Sequence, residues 1–325
     1  MTTTGSSQDQ IRFRSYDKTD EQVLINLLNM IWKGDVGAIS YYTPTEWVDN
    51  ANSFHRSIVA ELVNETEKKV VGFGNISHYP THPTHAFLNL NIHPNYQQQG
   101  LGKKLYHHLI SLLKTYHPYP CLSATYENQI RAVSFLKSHG FKELIRTYLP
   151  RLRVDQVDIN KLKDITLQIT AYGYQIYSMA DLATDPERNQ KLADLLFDIY
   201  AAIHPHNPPG NAMYEKRQEI FLSNLLPEAT FIAIYEGEYA ATGSLLNSQR
   251  REALDIGLFG VRKNHQIHAL ELALAIKWYE ITFAHQAQIK HLVAEIDSTD
   301  SIGMAVLNAL PFHPSSTWIT FVKEL

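Results

Sequence analysis

Two kinds of apolar spacing alternate along the first half of the chain and divide it into strands and helices. Apolar residues at every second position, or in short apolar runs, are typical of strands, whereas apolar residues three and four apart are typical of helices. The first pattern predicts strands at residues 11–15, 57–63, 69–77, 85–92, 121–126 and 141–149. The second pattern predicts helices at residues 21–32, 103–116 and 129–139. The order of these elements indicates a mixed α/β fold.

The same order of elements returns after a charge-rich stretch at residues 151–164. The two patterns predict strands at 174–179, 230–238, 239–247, 252–261 and 291–297, and helices at 186–203, 269–284 and 304–312. Laying IHPNYQQQGLG over VRKNHQIHALE pairs Gln97 with Gln266 and Gly100 with Ala269. We interpret this as one fold used twice. The alternative is two unrelated α/β domains whose element order coincides.

The length agrees with two domains, because 325 residues are more than one hydrophobic core usually organises. We predict an N-terminal domain at residues 8–150, a connecting segment at 151–172 and a C-terminal domain at 173–325.

Composition and charge narrow the class of protein. Hydrophobic residues make up 44% and charged residues 19%, which is ordinary for a globular chain. The net charge of −4 offers no basic field for nucleic acid or an anionic membrane. Cys121 is the single cysteine, so no disulfide forms within the chain. No signal peptide or long apolar run is apparent, and we expect a soluble cytoplasmic protein without a membrane span.

The loop within NIHPNYQQQGLGKKL, residues 91–105, carries the strongest chemical signal. It leads from a predicted strand into a predicted helix, whose first N–H groups have no partner within the helix and lie at the positive end of the helix dipole. Such an end binds anions, and glycines at positions 100 and 102 let the backbone approach a phosphate closely. The Q-x-x-G-x-G spacing fits neither the GxGxxG of dinucleotide-binding folds nor a P-loop, since Lys104 stands where a P-loop has Ser or Thr.

These motifs together resemble the GNAT superfamily of N-acetyltransferases, and the whole chain resembles tandem GNAT proteins. The matching residues are Ile92-His93-Pro94, Gln97 through Gly102, Glu127-Asn128, Phe135-Leu136 and Gly140-Phe141. The resemblance implies two domains, each with a mixed, mostly antiparallel, splayed sheet flanked by helices. It implies acetyl-CoA as cofactor and a small-molecule primary amine as acceptor. The implied cofactor-binding residues are Asn91, Ile92, His93, Gln97, Gln98, Gln99, Gly100, Leu101, Gly102, Lys103, Asn128 and Phe135.

The residues for proton transfer depart from the family pattern. The tyrosine that often acts as acid in this family is replaced by Leu136, and the alternating positions 86, 88 and 90, where a base is often found, are apolar. Tyr126 and Glu127 follow the second splayed strand, and we name them as the candidate catalytic residues. The alternative, which the sequence favours, is a packing tyrosine and a solvated or helix-capping glutamate, and water can also remove the proton. The alternative function is a CoA-binding or structural module with weak or no turnover.

The second copy of the loop departs from the family pattern. Ile267, Ala269 and Glu271 replace small residues, and a carboxylate there repels a pyrophosphate. We therefore expect this half to bind acetyl-CoA weakly or not at all and to act structurally or in shaping the acceptor cleft. A relocated mode of cofactor binding is the alternative.

Other side chains that could bind a metal or a substrate also have a structural interpretation. Four histidines at 78, 82, 85 and 93 lack the cysteine or carboxylate partners of a zinc or copper site, so we predict no metal. Three carboxylates, Glu295, Asp297 and Asp300, follow no calcium-loop spacing. His204 and His206 are read as a substrate contact or a plain loop, and Tyr41, Tyr42 and Trp47 as an acceptor pocket or as helix packing.

Overall fold

The computed structural model describes residues 10–43, 49–50, 53–64, 67–116 and 119–325. Its chain forms two compact units that do not follow sequence order. The first unit comprises Met1–Ala124, Gly140–Lys142 and Phe321–Leu325. The second unit comprises Thr125–His139 and Glu143–Thr320.

The strands and helices of the first part of the chain agree closely with the periodicity. The strands are β1 (Gln10–Ser15), β2 (Asp49–Asn50), β3 (Ser53–Val63), β4 (Lys68–Tyr79), β5 (His82–Ile92) and β6 (Cys121–Tyr126). The helices are α1 (Glu21–Trp32), α2 (Val36–Tyr42) and α3 (Leu101–Tyr116). Strands β1, β3, β4 and β5 pair antiparallel in that order, and β6 then pairs with β5 in parallel. The predicted mixed, mostly antiparallel sheet is confirmed for this unit.

Helices cover both faces of the sheet in the first unit. Helix α3 buries Leu105, Leu109 and Leu113 completely. It packs closely because Gly74 in β4 has no side chain, and a Cβ there would lie 2.7 Å from Leu109 Cδ1. Helix α1 buries a leucine stripe that includes Leu24, and it contacts β4 and β5.

An ion cluster joins β1 to the start of α1 and to β3. The Arg14 guanidinium donates to both carboxylate oxygens of Asp20 at 2.6 and 2.7 Å, and to Glu61 Oε1 at 2.8 Å. Asp20 and Glu61 are each 7% exposed. The bonds from Arg14 hold the pKa of Asp20 below its usual value.

Replacement of Arg14 by Met is expected to destabilise the protein by about 2–3 kcal/mol, because it leaves two buried carboxylates without a cation. Denaturant unfolding at pH 7 measures the difference, with Arg12→Met, an exposed position on the same strand, as control. Asp20 has a lowered folded-state pKa, so its contribution is present above the unfolded pKa and is lost as the pH falls through the folded pKa. Equal stability of the two variants at pH 7 contradicts the prediction.

The remaining elements begin near the middle of the chain. The helices are α4 (Ile130–Ser138), α5 (Ile159–Ala171), α6 (Arg188–Ile203), α7 (Asn211–Glu215), α8 (Arg217–Leu222), α9 (Ala269–Gln286) and α10 (Ser301–Ala309). The strands are β7 (Lys142–Tyr148), β8 (Arg151–Arg153), β9 (Gln175–Ser178), β10 (Thr230–Tyr235), β11 (Glu238–Asn247), β12 (Ala253–Ile256), β13 (Gly260–Val261), β14 (His291–Val293), β15 (Ile296–Asp297), β16 (Phe312–His313) and β17 (Trp318–Lys323).

The second unit has its own mixed sheet, in the order β16–β8–β14–β12–β11–β10–β9, with β13 also paired to β11. Strands β12 and β14 are parallel, and the other pairs in this sheet are antiparallel. The predicted connecting segment at residues 151–172 is itself structured. It supplies β8 to this sheet and α5, which packs against α9.

Helix α9 is buried on nearly all sides and carries an ion pair in the core of the second unit. Lys277 Nζ lies 2.8 Å from Glu280 Oε2, and both side chains are fully buried. The ammonium also lies 3.7 Å from the centroid of the Phe259 ring. Burial lowers the pKa of Lys277 and raises the pKa of Glu280, and each shift is opposed by the charge of the partner.

The end of the chain belongs to the first unit. Phe321 is fully buried, and Lys323 Nζ donates to the Tyr106 hydroxyl on α3 at 2.7 Å. The same ammonium lies 5.8 Å from the centroid of the Phe141 ring. The last residues therefore pack against a helix that begins more than two hundred positions earlier.

Candidate functional site

Strands β5 and β6 pair over only two residues each in the first unit. The two strands pair in parallel only at Ala86 with Cys121 and at Phe87 with Leu122. Strand β5 continues to Ile92 without a further pair to β6 among the described residues. Main-chain groups along the inner edge of β5 are therefore left open, as the splayed-strand expectation requires.

The loop after β5 is held by its own side chains. Gln97 Nε2 donates to the carbonyl of Ile92 at 3.0 Å, which ties the loop to the end of the strand. Gln99 Nε2 donates to the carbonyl of Asn95 at 2.9 Å. Gln98 and Gly100 have φ angles of 61° and 80°, in the left-handed region that favours glycine. These contacts fold the loop back on itself just before α3 begins.

The loop presents a run of unpaired donors at the start of α3. Within the described part of the chain, the backbone N–H groups from Gln98 to Lys103 donate no hydrogen bond, and the helix ladder starts with Lys104 donating to Gly100 at 3.1 Å. A Cβ placed on Gly100 would meet no atom within 4 Å and would project into open space. Consecutive open N–H groups at a helix N-terminus form a site for a phosphate or pyrophosphate.

The structure brings most of the predicted cofactor residues together. Those at the end of β5, in the loop and at the start of α3 all lie in the first unit. His93 Nδ1 accepts the N–H of Asn95 at 3.2 Å, and burial followed by the charge of Lys69 lowers the pKa of His93. Asn128 and Phe135 lie in the second unit, where Asn128 Nδ2 contacts Ser316 Oγ at 3.1 Å. Their role towards the cofactor stays a prediction.

The two predicted catalytic residues make structural contacts within the second unit. The Tyr126 ring meets Trp318 edge-on at 4.7 Å. Glu127 accepts the backbone N–H of Thr317 at 3.1 Å and pairs with Arg146 at 3.2 Å. These contacts, with the Thr317 backbone bond the largest, lower the pKa of Glu127. A carboxylate that is stabilised in its ionised form is a weak proton acceptor.

A row of polar side chains crosses the face of the first unit's sheet that lies opposite α3. This row was not predicted from the sequence. Ser57 on β3, Asn75 on β4 and Asn89 on β5 stand in direct cross-strand register, with His55 two positions before Ser57. Each of these four residues is at most 8% exposed. The sequence signal was present, since Asn89 and Asn91 alternate with the apolar residues of the same strand.

Several atoms in this polar row lack partners. His55 Nδ1, Asn75 Oδ1, Asn89 Oδ1 and Asn91 Nδ2 are buried and have no hydrogen-bond partner. A buried polar atom without a partner costs about 1–3 kcal/mol, so native proteins keep few of them. Such a concentration on one face indicates a place where water or a ligand supplies the missing bonds.

Aromatic residues of α1 and α2 lie over the polar row. Trp32 Nε1 donates to Asn91 Oδ1 at 3.2 Å, and the Tyr42 hydroxyl donates to the carbonyl of Ala124 at 2.6 Å. Tyr41 bonds to Asn89 and is 44% exposed, yet the protein around its hydroxyl raises its pKa to about 12. An exposed ring with an enclosed hydroxyl is typical of a cleft wall.

His55 is the titratable group of the row. Its Nε2 contacts Ser57 Oγ at 3.0 Å. Burial, with a smaller contribution from the charge of Arg56, lowers the pKa of His55. The imidazole is therefore held in its neutral form, which can accept a proton at the unpartnered Nδ1.

The second unit repeats the glutamine contact of the loop but not its backbone conformation. Gln266 Nε2 donates to the carbonyl of Val261 at 3.1 Å, in the same way as Gln97 does to Ile92. The following residues form short helical turns, and no residue there has a positive φ. The Tyr174 hydroxyl lies 2.9 Å from His265 Nδ1, so aromatic side chains pack against this loop.

Two kinds of site are not seen in the described ranges. No group of three His, Cys, Asp or Glu side chains there is placed to hold a metal ion. His78 stacks on Tyr119 at 4.4 Å, and its Nε2 lies 3.1 Å from the carbonyl of Pro83. Among these same residues, no helix combines the length and apolar character needed to cross a membrane.

Comparison with known proteins agrees with this geometry. Residues 23–141 match the sequence model of the Acetyltransferase (GNAT) family. No curated protein sequence matches the chain.

Solved structures share the fold over nearly the whole chain. A GCN5-related N-acetyltransferase from Sphaerobacter thermophilus is similar with a TM-score of 0.66 at 12% identity, covering 98% of this chain and 97% of that one. A tandem GNAT protein from the clavulanic acid biosynthesis pathway has a TM-score of 0.63 at 15% identity, covering 97% and 98%. A GCN5-related N-acetyltransferase from Anabaena variabilis has a TM-score of 0.53 at 13% identity, covering 97% and 73%.

The family model covers the strand, loop and helix that form the candidate phosphate site, and the solved structures extend the same fold to both units. The chain therefore carries a GNAT-family acetyltransferase domain at residues 23–141, within a fold that it shares over nearly its full length with a tandem GNAT protein.

Proposed function

We propose that the protein transfers the acetyl group of acetyl-CoA to a primary amine, with the cofactor bound by the first unit. The observation that supports this best is the run of open N–H groups from Gln98 to Lys103 beside the separated ends of β5 and β6. Open donors suit the pyrophosphate, and the gap between the strands suits an extended pantetheine arm. Acetyl-CoA supplies an activated thioester, so the acceptor amine needs only positioning and loss of a proton.

Different residues of the chain bind different parts of the cofactor. The loop at Gln97–Lys103 binds the pyrophosphate through backbone donors, and the side chain of Gln97 fixes the loop to the strand end. The open edge of β5 offers main-chain groups to the amides of the pantetheine arm. The exposed Lys103 and Lys104 add positive charge at the start of α3.

The polar row supports an assignment of the binding site for the acceptor amine. Asn75 and Asn89 carry unpartnered amide oxygens that can accept hydrogen bonds from an amine, and the aromatic residues of α1 and α2 exclude water. We assign the role of proton acceptor to neutral His55, whose Nδ1 is unpartnered. This role was expected of Tyr126 or Glu127, but Glu127 is ion-paired with Arg146.

Titration calorimetry with acetyl-CoA tests the cofactor assignment. One site per chain supports it, whereas two sites per chain contradict the structural role that we propose for the second loop. No binding by the folded protein favours the second candidate function, a GNAT-like module without turnover. That candidate is supported by Leu136, which replaces the tyrosine acid of many family members.

Replacing His55 by Gln is expected to lower kcat about 100-fold, a typical effect of losing a general base. Acetyl-CoA affinity should stay within about twofold, since His55 lies outside the loop. Burial lowers the pKa of His55, so the acid limb of the wild-type pH profile should fall below the usual value of 6.5, and it should disappear in the variant.

Release of CoA thiol with a panel of primary amines measures the rate. His285→Gln, at an exposed position at the end of α9, is the control and should match the wild type. A variant that keeps its acid limb, with kcat within about threefold of the wild type, excludes His55 as the proton acceptor.

A further inference from the structure

One face of the second unit's sheet carries basic side chains. Leu152 on β8 lies opposite Leu292 on β14, and both leucines are fully buried in the core. Successive side chains of a strand point to opposite sides of a sheet, so the neighbours of these leucines project from the other face. That face carries two arginines of β8 and one histidine from each strand beside it: Arg151, Arg153, His291 and His313.

The turn between β11 and β12 brings further cations to the same end of the sheet. The N–H of Val154 donates to the carbonyl of Lys290 at 3.1 Å, and the N–H of Lys290 donates to the carbonyl of Glu252 at 3.0 Å. These bonds hold the end of β8, the start of β14 and the turn side by side. We call the resulting surface the basic face, and its members are Arg151, Arg153, Arg250, Arg251, Lys290, His291 and His313.

Arginine is concentrated on the basic face. Four of the twelve arginines of the chain lie there, against one of its seventeen lysines. A guanidinium presents a planar fork of donors that matches a carboxylate, and arginine is enriched where proteins bind one another. The composition therefore favours recognition of anionic groups by direct contact.

Two of these arginines have no partner within the described part of the chain. Arg151 and Arg251 are exposed, and neither makes a hydrogen bond or an ion pair there. Arg151 stands directly opposite His313, and Arg153 opposite His291, so basic side chains face each other where acidic ones would stabilise the pairs. His291 Nδ1 is buried without a hydrogen-bond partner. The basic face therefore lacks the internal anions that would complete it.

The remaining cations have only exposed partners. Three ion pairs, all open to solvent, join them to carboxylates: Arg153–Asp155 at 2.6 Å, Lys290–Glu252 at 2.9 Å and Arg250–Asp255 at 3.4 Å. Exposed pairs of this kind contribute little stability, so a carboxylate from outside the chain can compete with them. Five arginines and lysines against three carboxylates leave an excess of positive charge, on a chain whose net charge is −4.

Charge complementarity selects the class of partner. Nucleic acid presents a continuous row of phosphates, and the three carboxylates among the cations would repel it. A peptide with separated carboxylates can pair with the arginines one at a time. We propose that the basic face binds an acidic, carboxylate-rich segment of a partner protein, with Arg151 and Arg251 as the main contacts. The face contains none of the residues proposed to hold acetyl-CoA, so this binding is independent of the proposed function.

Fluorescence anisotropy of a labelled peptide of alternating glutamate and serine, titrated with the full-length protein, tests the proposal. Arg151→Glu combined with Arg251→Glu should weaken binding at least about tenfold, because two attractions become repulsions. The matched control, Arg12→Glu combined with Lys163→Glu, reverses two exposed charges outside the face. It should keep the affinity within about twofold at physiological ionic strength, where charges farther than about 8 Å are screened.

A gain of affinity provides a second test that a folding defect cannot imitate. Asp155→Asn removes the internal partner of Arg153 and frees its guanidinium for the peptide. This variant should bind the peptide at least about twofold more tightly than the wild type. Unchanged or weaker binding by Asp155→Asn counts against the proposal.

The other outcomes are equally decisive. No binding of the peptide by the folded wild type, or equal loss in the two double variants, would overturn the proposal. Equal or tighter binding of a DNA duplex would replace the acidic peptide by nucleic acid as the partner. Titration of the Arg151→Glu, Arg251→Glu variant with acetyl-CoA should give the wild-type affinity, so a failed peptide site and a failed cofactor site are distinguishable.

Discussion

Replacement of Gly100 by Ala is expected to weaken acetyl-CoA binding at least about tenfold, and replacement by Glu to abolish it. The open N–H groups around Gly100 are the proposed pyrophosphate site, and a Cβ at this position projects into the space that a phosphate would occupy. The glutamate adds a negative charge at the same point, so repulsion follows steric exclusion. Calorimetric titration of each variant measures the loss.

The control must separate backbone strain from lost contact. Gly100 has a φ of 80°, so any other residue is strained there by about 1 kcal/mol or more. Gly237, between β10 and β11, has a φ of 84° and equally open surroundings. Gly237→Ala should therefore show similar destabilisation and wild-type affinity for acetyl-CoA. If both alanine variants lose affinity to the same extent, the loop is not the cofactor site.

Replacement of Lys277 by Met is expected to destabilise the second unit by about 3–5 kcal/mol. Methionine has nearly the length of lysine, so the packing against Phe259 is largely kept. What changes is that Glu280 is left in the core with no cation, and its other oxygen, Oε1, already lacks a partner. Denaturant unfolding of the variant and the wild type measures the difference in free energy.

A double variant distinguishes a buried charge from lost packing. Lys277→Met combined with Glu280→Leu removes both ions, and it should recover most of the stability that the single change loses. Gly243 limits the recovery, because a Cβ there would lie 2.5 Å from Glu280 Oε1 and the branched leucine must fit the same space. If the double variant is no more stable than Lys277→Met, the ion pair is not the source of the effect.

Periodicity was sufficient to locate most elements of the fold. Helix α1 was predicted with its observed bounds, and α3 within two residues of its start. The repeat was also visible in sequence, and the matched bonds of Gln97 and Gln266 show what the shared glutamine does in each copy. These features depend on local spacing, which a single sequence displays directly.

The features that the sequence did not predict depend on contacts between residues that are distant along the chain. The segment at 151–172 was read as a connection because its charges obscured β8 and the helical face of α5. The face that we propose for the acceptor was missed because alternation on β5 defines two faces without saying what covers each. Only the positions of Trp32 and Tyr41 show that the face with Asn89 and Asn91 lies under helices rather than in solvent.

The candidate site was also only partly predictable from the sequence. The proposed phosphate-binding loop is a continuous stretch, so its glycines and glutamines could be named from sequence. Glu127 was selected because it follows a splayed strand, but its pairing with Arg146 depends on the fold. Glu295, Asp297 and Asp300 follow no calcium-loop spacing, and the sequence does not show that Tyr200 and Phe221 line the same cavity of the second unit.

The return of Phe321–Leu325 to the first unit has a consequence for synthesis of the protein. A chain emerging from the ribosome contains the proposed acetyl-CoA loop long before it contains Lys323, which bonds to Tyr106 on α3. The first unit must therefore wait for translation of the entire second unit before its own hydrophobic core is complete. The core of the first unit is therefore completed only after residues 321–325 are made, and a truncation before Phe321 removes part of that core.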